Sequence, residues 1–142
     1  MKKDSLAIAL HFLKFRPRSV FEVENKLKQK RILDSEIQKT ISVLKKNKLL
    51  DDKEFAKMWV RDRNLLKPTG SFLLKMELRK LRVADGDIEA ALSEQNEESL
   101  ARKAIEGKYR ERNIDFDKKA AFLARRGFKT SVIYKILKSE NS

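Results

Sequence analysis

The chain has 142 residues and a mass of 16.6 kDa, room for one ordinary domain or several small packed units. It contains no cysteine, one histidine, four glycines and two prolines, which excludes a disulfide framework, thiol chemistry and an ordinary zinc site and argues against a turn-rich β architecture. With 34 Lys and Arg against 21 Asp and Glu, its formal charge is +13, the balance of a protein that meets a polyanion.

Met1 to Ser5 runs into an apolar stretch from Leu6 to Phe15 that His11 and Lys14 interrupt. It reads as an amphipathic helix with Leu6, Ala9, Leu10 and Leu13 on the inward stripe, and not as a signal peptide. Pro17 ends this helix, because the residue before proline avoids the α conformation. Ser19 and Glu22 form a capping-box signature for a second helix with Val20, Val23 and Leu27 inward. Asp34 and Ser35, with Gln38 three residues after Ser35, open a third with Ile37, Ile41 and Leu44 inward. Asp51 and Asp52 suit the start of a fourth helix, which carries Phe55, Ala56, Trp59 and Val60 towards Pro68. Helices are then expected from Ser71 to Leu81, Asp85 to Leu92, Glu97 to about Arg112, Asp115 to Arg126 and Thr130 to Ser139, with Gly127 at a left-handed C-terminal position. No run approaches the roughly 18 apolar residues of a membrane span, so a cytoplasmic protein is expected.

The elements repeat. Arg16-Pro17-Arg18-Ser19 recurs as Lys67-Pro68-Thr69-Gly70 at an offset of 51, and the same offset takes Val23 to Leu74, Leu27 to Leu78, Ile32 to Val83, Ile37 to Ile88 and Ile41 to Leu92. A further offset of 45 takes Ala56 to Ala101, Leu78 to Leu123, Val83 to Phe128 and Ile88 to Ile133. The fold class expected is therefore all-α: three tandem three-helix repeats, residues 1–50, 51–96 and 97–142, in an elongated, curved array. Such short helices bury little alone, so stability must come from packing within and between units. The first unit holds 13 basic and 5 acidic residues, the second 9 and 9, the third 12 and 7. Contacts with a polyanion should thus be distributed along the array.

No enzyme constellation is present. His11 sits in an amphipathic helix without partners for catalysis, and the isolated glycines form no phosphate-cradling loop. Neither a metal nor a cofactor is expected. Asp51 and Asp52 read as helix caps before they read as metal ligands. The candidates for partner binding are cationic: Arg61, Arg63 and Lys67 in the most distinctive stretch, Arg125, Arg126 and Lys129 in the densest late cluster, and Arg79 and Arg82 between them. Arginine can meet a phosphate or carboxylate bidentately. The bland alternative is a solvated basic helix face.

The run from Leu50 through Asp51-Asp52, Phe55-Ala56, Trp59-Val60-Arg61 and Arg63, followed by Lys67-Pro68, Gly70 and Glu77-Leu78, resembles the RecX family of bacterial regulators. Arg16-Pro17-Arg18-Ser19 with Lys26-Leu27, and Phe122-Leu123 with Arg125-Arg126-Gly127-Phe128, fit the same pattern, so the resemblance covers about residues 5–138. It implies three tandem three-helix repeats and a monomer that binds the RecA recombinase filament. It also implies modulation, mainly inhibition, of RecA's strand exchange and ATP hydrolysis in recombination, DNA repair and the SOS response. Arg31, Val83 and the Leu81-Arg82 step depart from the family's glycine-containing turns, and the N-terminus is short, so a longer leader's function is expected to be absent. A different reading is a direct DNA-binding protein with helix-turn-helix-like units. The acidic segment Asp85-Gly86-Asp87-Ile88-Glu89 argues against one groove-reading helix per unit.

Overall fold

A computed structural model of the chain describes residues 4–110 and 114–140. Among these residues there are nine helices and no strand: α1 (Ser5–Phe15), α2 (Val20–Gln29), α3 (Asp34–Lys46), α4 (Asp52–Leu66), α5 (Ser71–Lys80), α6 (Asp85–Leu92), α7 (Glu97–Tyr109), α8 (Phe116–Arg125) and α9 (Thr130–Glu140). The expected end of the seventh helix at Arg112 lies outside the described residues. The fold is an all-α array of tandem three-helix units. Each unit closes around its own core: Val23, Leu27, Ile37, Ile41 and Leu44 in the first, Phe55, Ala56, Leu74, Leu78 and Ile88 in the second, and Ala101, Ile105, Leu123, Ile133 and Ile136 in the third. The substantial helix–helix contacts all fall within units. The accessible surface of 9615 Å² exceeds the about 7,600 Å² expected of a compact monomer of this mass. An open array with three small cores accounts for the excess.

Local chemistry sets the helix ends. Ser19 accepts from the Glu22 amide while the Glu22 carboxylate accepts from the Ser19 amide, so the expected capping box is formed. Side chains of Asp4, Asp51, Asn96 and Asp115 cap α1, α4, α7 and α8. The expected cap at Asp34 and Ser35 is not formed. Leu33 occupies the N-cap position with no side-chain hydrogen bond, and Asp34 lies in the first turn, where its charge favours the helix dipole. Ala84 and Asp85 repeat this arrangement at α6.

The second helix of every unit ends the same way. Arg31 (φ 62°), Arg82 (φ 60°) and Gly127 (φ 88°) adopt left-handed backbone at repeat-equivalent positions. The next amide in each case bonds back to a carbonyl five residues earlier: Ile32 to Leu27, Val83 to Leu78 and Phe128 to Leu123, each at 3.1 Å. This is the Schellman arrangement, usually built on glycine. The two arginines bear a left-handed penalty of about 1–2 kcal/mol each. Burial of Val83 and partial burial of Ile32 hold the turns closed.

In α1 the inward stripe is rotated from the expected one. Ser5 and Ala9 are buried, with Ile8, Phe12 and Leu13 packed on the core, whereas Leu6 and Leu10 lie on the outer face. The buried Ser5 hydroxyl hydrogen-bonds that of Thr40 on α3, which anchors Ser5 inward and turns the two leucines out.

Candidate interaction surface

The units are joined through loops and helix ends, and the distinctive sequence motifs meet there. Between the second and third units, the Lys67–Gly70 segment lies against the α8–α9 turn. The Gly70 amide donates to the Arg126 carbonyl at 2.7 Å and the Phe72 amide to the Gly127 carbonyl at 3.1 Å. A Cβ on Gly70 would overlap the Gly127 and Phe128 backbone, and one on Gly127 would overlap Leu73, so only glycine permits this approach. The Arg126 guanidinium donates to the Pro68 carbonyl and stands over the Phe122 ring. Its partial burial, with the Arg63 charge nearby, lowers its pKa. Asn64, Gln95 and Thr69 complete the joint: Asn64 donates to Gln95 at 2.7 Å and accepts from the Thr69 amide at 2.7 Å, and Gln95 donates to the Thr69 carbonyl at 3.1 Å.

Arg63 is held inside the second unit. Its Nε and Nη2 grip Glu77 at 2.9 and 2.7 Å, and the Trp59 indole N–H donates to the same carboxylate at 2.9 Å. Partial burial pushes the Glu77 carboxyl up, but the Arg63 and Trp59 hydrogen bonds outweigh it and hold the group below its usual range. The Arg63 guanidinium is correspondingly raised, first by its hydrogen bond to Glu77. Trp59 is thus half-buried at the rim of the core with its polar edge satisfied.

The joint between the first and second units uses side chains. The Asp52 carboxylate leaves its own helix and accepts from the Val20 amide at 2.9 Å, capping α2 of the preceding unit. Burial raises the Asp52 carboxyl against the lowering effect of that hydrogen bond. The next joint repeats the device: Glu97 at the start of α7 accepts from the Ser71 amide of α5 at 2.9 Å. Val20 and Ser71 are 51 apart and Asp52 and Glu97 are 45 apart, so the pairing follows the repeat. Arg82 stands 5.7 Å from the Phe21 ring, and Arg16 stands 6.0 Å from that of Trp59, both across this joint.

Four of the eight cationic candidates are therefore engaged within the molecule, three of them being Arg63 with Glu77, Arg126 with Pro68, and Arg82 with Phe21. Arg79 pairs with Asp85 at 3.2 Å, both well exposed. Arg61, Lys67, Arg125 and Lys129 project into solvent. Arg61 lines a groove between α4 and the start of α7, while Lys129 lines a cleft near Phe72 and Lys75. Sequence reasoning missed Asp52 and Glu97 as inter-unit caps. The signal available was their shared repeat position, two acids each one residue after a capping residue. Among the described residues no cluster of acids and histidines could hold a metal ion, and no helix is long and apolar enough to cross a membrane.

The same architecture and motifs occur in known proteins. The model described as RecX, first three-helix domain, matches residues 6–44, and that of the RecX second three-helix domain matches residues 51–92. The chain belongs to the RecX family. It is 36% identical over 140 residues to the regulatory protein RecX of Geobacillus sp. (strain WCH70), covering 93% of this chain and 52% of that protein. It is 30% identical over 145 residues to RecX of Mycolicibacterium smegmatis, covering 94% and 77%. The crystal structure of RecX from Lactobacillus salivarius superposes with a TM-score of 0.82 at 25% identity, over 96% of this chain and 94% of that one. The chain spans about half the length of several curated RecX relatives it matches. These relatives are regulatory proteins by name.

Proposed function

We propose that this chain binds RecA, or RecA-coated DNA, and inhibits strand exchange and ATP hydrolysis in recombination, DNA repair and the SOS response. On this reading it acts as a cytoplasmic monomer without catalysis or cofactor. The observation that carries the reading is the open array of a RecX-family chain, with the solvent-facing cations Arg61, Lys67, Arg125 and Lys129 spread over its second and third units. A long basic surface with modest, separated contacts suits a long helical partner, because linked contacts add through effective concentration. Direct DNA binding is the second reading, favoured by the excess charge of the first and third units. Against it, α6 carries Asp85, Asp87 and Glu89, which would repel phosphate in a major groove.

Binding to free single-stranded DNA and to RecA-coated DNA at matched salt separates the two. Preference for the coated strand supports a RecA partner. Equal binding, with affinity falling on a log–log salt plot by about 0.7–0.9 per phosphate neutralised, supports DNA as the target.

A further inference from the structure

The first helices of the three units hold equivalent places, yet their outer faces differ. Leu6 and Leu10 of α1 correspond to Lys57 and Arg61 of α4 and to Arg102 and Glu106 of α7. The fold thus builds the same helix twice with charged residues at these positions, so packing within the unit does not require leucine there. In α1 these leucines, 37% and 42% exposed, continue into Phe15 at 67%, and Leu49 at 52% stands across from them.

Leu10, Leu13, Phe15, Leu49, Phe55 and Met58 line one groove between α1 and the start of α4. The repeat-equivalent groove between the second and third units is lined at the matching positions by Arg61 for Leu10, Asn64 for Leu13, and Leu100 for Phe55. One groove is polar, and the other is apolar with a charged edge. At that edge Lys14 and Lys48 form no ion pair among the described residues. The carboxylates beside them are committed: Asp51 caps α4, and Glu54 faces Lys57 at 3.8 Å. Arg16 and Arg18 are both turned onto Glu22. The available charge is therefore positive.

We propose that this groove receives an acidic amphipathic helix of a protein partner. Apolar anchors one turn apart would seat against Leu10, Phe15 and Leu49, and carboxylates on the flanks would meet Lys14 and Lys48. An apolar floor offers phosphate nothing. A second copy of this chain would bring its own charge of +13 against a unit that is itself strongly basic. The proposal rests on the reading that the chain regulates a protein target, and it names the surface and chemistry of that contact.

The test uses the full chain and a fluorescein-labelled amphipathic peptide of roughly 18 residues, with leucines at i, i+3, i+4 and i+7 spacing and glutamates on the opposite face. Wild type should bind it, and Leu10→Ser/Phe15→Ser should weaken binding about tenfold or more, a loss of about 1.4 kcal/mol. The melting temperature of the variant should stay near wild type, because both residues are exposed. The control Leu65→Ser/Leu66→Ser removes an even more exposed apolar pair from α4 and should bind as wild type does. No binding of the peptide, equal binding of a scrambled peptide, or equal loss in the control overturns the proposal. So does finding that Leu10→Ser/Phe15→Ser abolishes binding of a single-stranded oligonucleotide, or dissolves a self-association seen by sedimentation. In a RecA ATPase assay, full inhibition by this variant would exclude the groove while leaving the regulatory reading intact. If wild type has no effect on RecA, that reading falls, and the peptide measurement decides the groove alone.

Discussion

The two joints of the array solve one problem with different chemistry. Between the second and third units, Gly70 and Gly127 let two backbones touch, and two main-chain hydrogen bonds lock them. Between the first and second units, Ser19 and Arg82 stand at those same repeat positions. Here the Ser19 amide turns to Glu22 instead. Contact is then made by Arg82 on Phe21, Arg16 on Trp59 and Asp52 on Val20. The inter-unit carboxylate cap is common to both. The second and third units are thus joined by direct main-chain hydrogen bonds, and the first is attached through side chains, most of them charged. A repeat can keep its frame while one residue type at the joint decides how neighbours are held.

The largest expected effect comes from breaking the glycine joint. Gly127→Ala would place a Cβ on Leu73 in left-handed backbone and sever both hydrogen bonds, at a cost of about 3 kcal/mol. Thermal unfolding should fall accordingly, and the Phe72 amide should lose hydrogen-exchange protection. The equivalent Arg82→Ala change should cost only about 0.5–1 kcal/mol, the range of an exposed cation–π contact. Equal losses at the two positions would erase the distinction.

The shared carboxylate cap is tested at Asp52. Asp52→Ala leaves the Val20 amide unpaired and should cost about 1–2 kcal/mol. Asp52→Asn keeps an acceptor without the charge. Because burial raises the folded carboxyl above its ordinary value, this group favours folding most when protonated, and its contribution declines as pH rises above about 3.9 through the raised range. Asn should therefore gain on wild type as pH is raised through that window. Glu77 has the opposite sign: its lowered carboxyl contributes above the ordinary value, and that contribution is lost as acid protonates it. Denaturant unfolding of wild type and Asp52→Asn across this range measures both trends.

The smallest effect is from salt. Raising ionic strength should loosen the first joint slightly, through screening of its half-exposed charges, and leave the glycine joint unchanged. Exchange protection at Val20 and Phe72 would report the two separately.

Much of this fold was legible along the chain because helix ends and apolar spacing are local. The offsets of 51 and 45, found from Pro17, Pro68 and the apolar frame, bring Arg31, Arg82 and Gly127 to the same left-handed turn. The α1 stripe misled because Leu6, Ala9, Leu10 and Leu13 satisfy helical spacing on either of two overlapping faces, and the Ser5–Thr40 contact that chooses between them spans 35 residues. The candidate surface was less legible for the same reason. Cationic character is visible in sequence, but the carboxylate or carbonyl that claims a given arginine is not: Glu77 for Arg63 and Pro68 for Arg126 lie 14 and 58 residues away. The motif residues that carry the family resemblance, Lys67-Pro68-Thr69-Gly70 and Arg126-Gly127-Phe128, prove to be two sides of one joint.

That division between joint cations and outward cations makes a direct demand on function. In a RecA ATPase assay stimulated by single-stranded DNA, a folded Arg61→Glu/Lys67→Glu/Arg125→Glu/Lys129→Glu chain should lose inhibition with little change in melting temperature, since exposed substitutions each shift stability by under about 0.5 kcal/mol. Inhibition equal to wild type by that correctly folded variant would contradict the account and remove the outward cations of the second and third units from the interface.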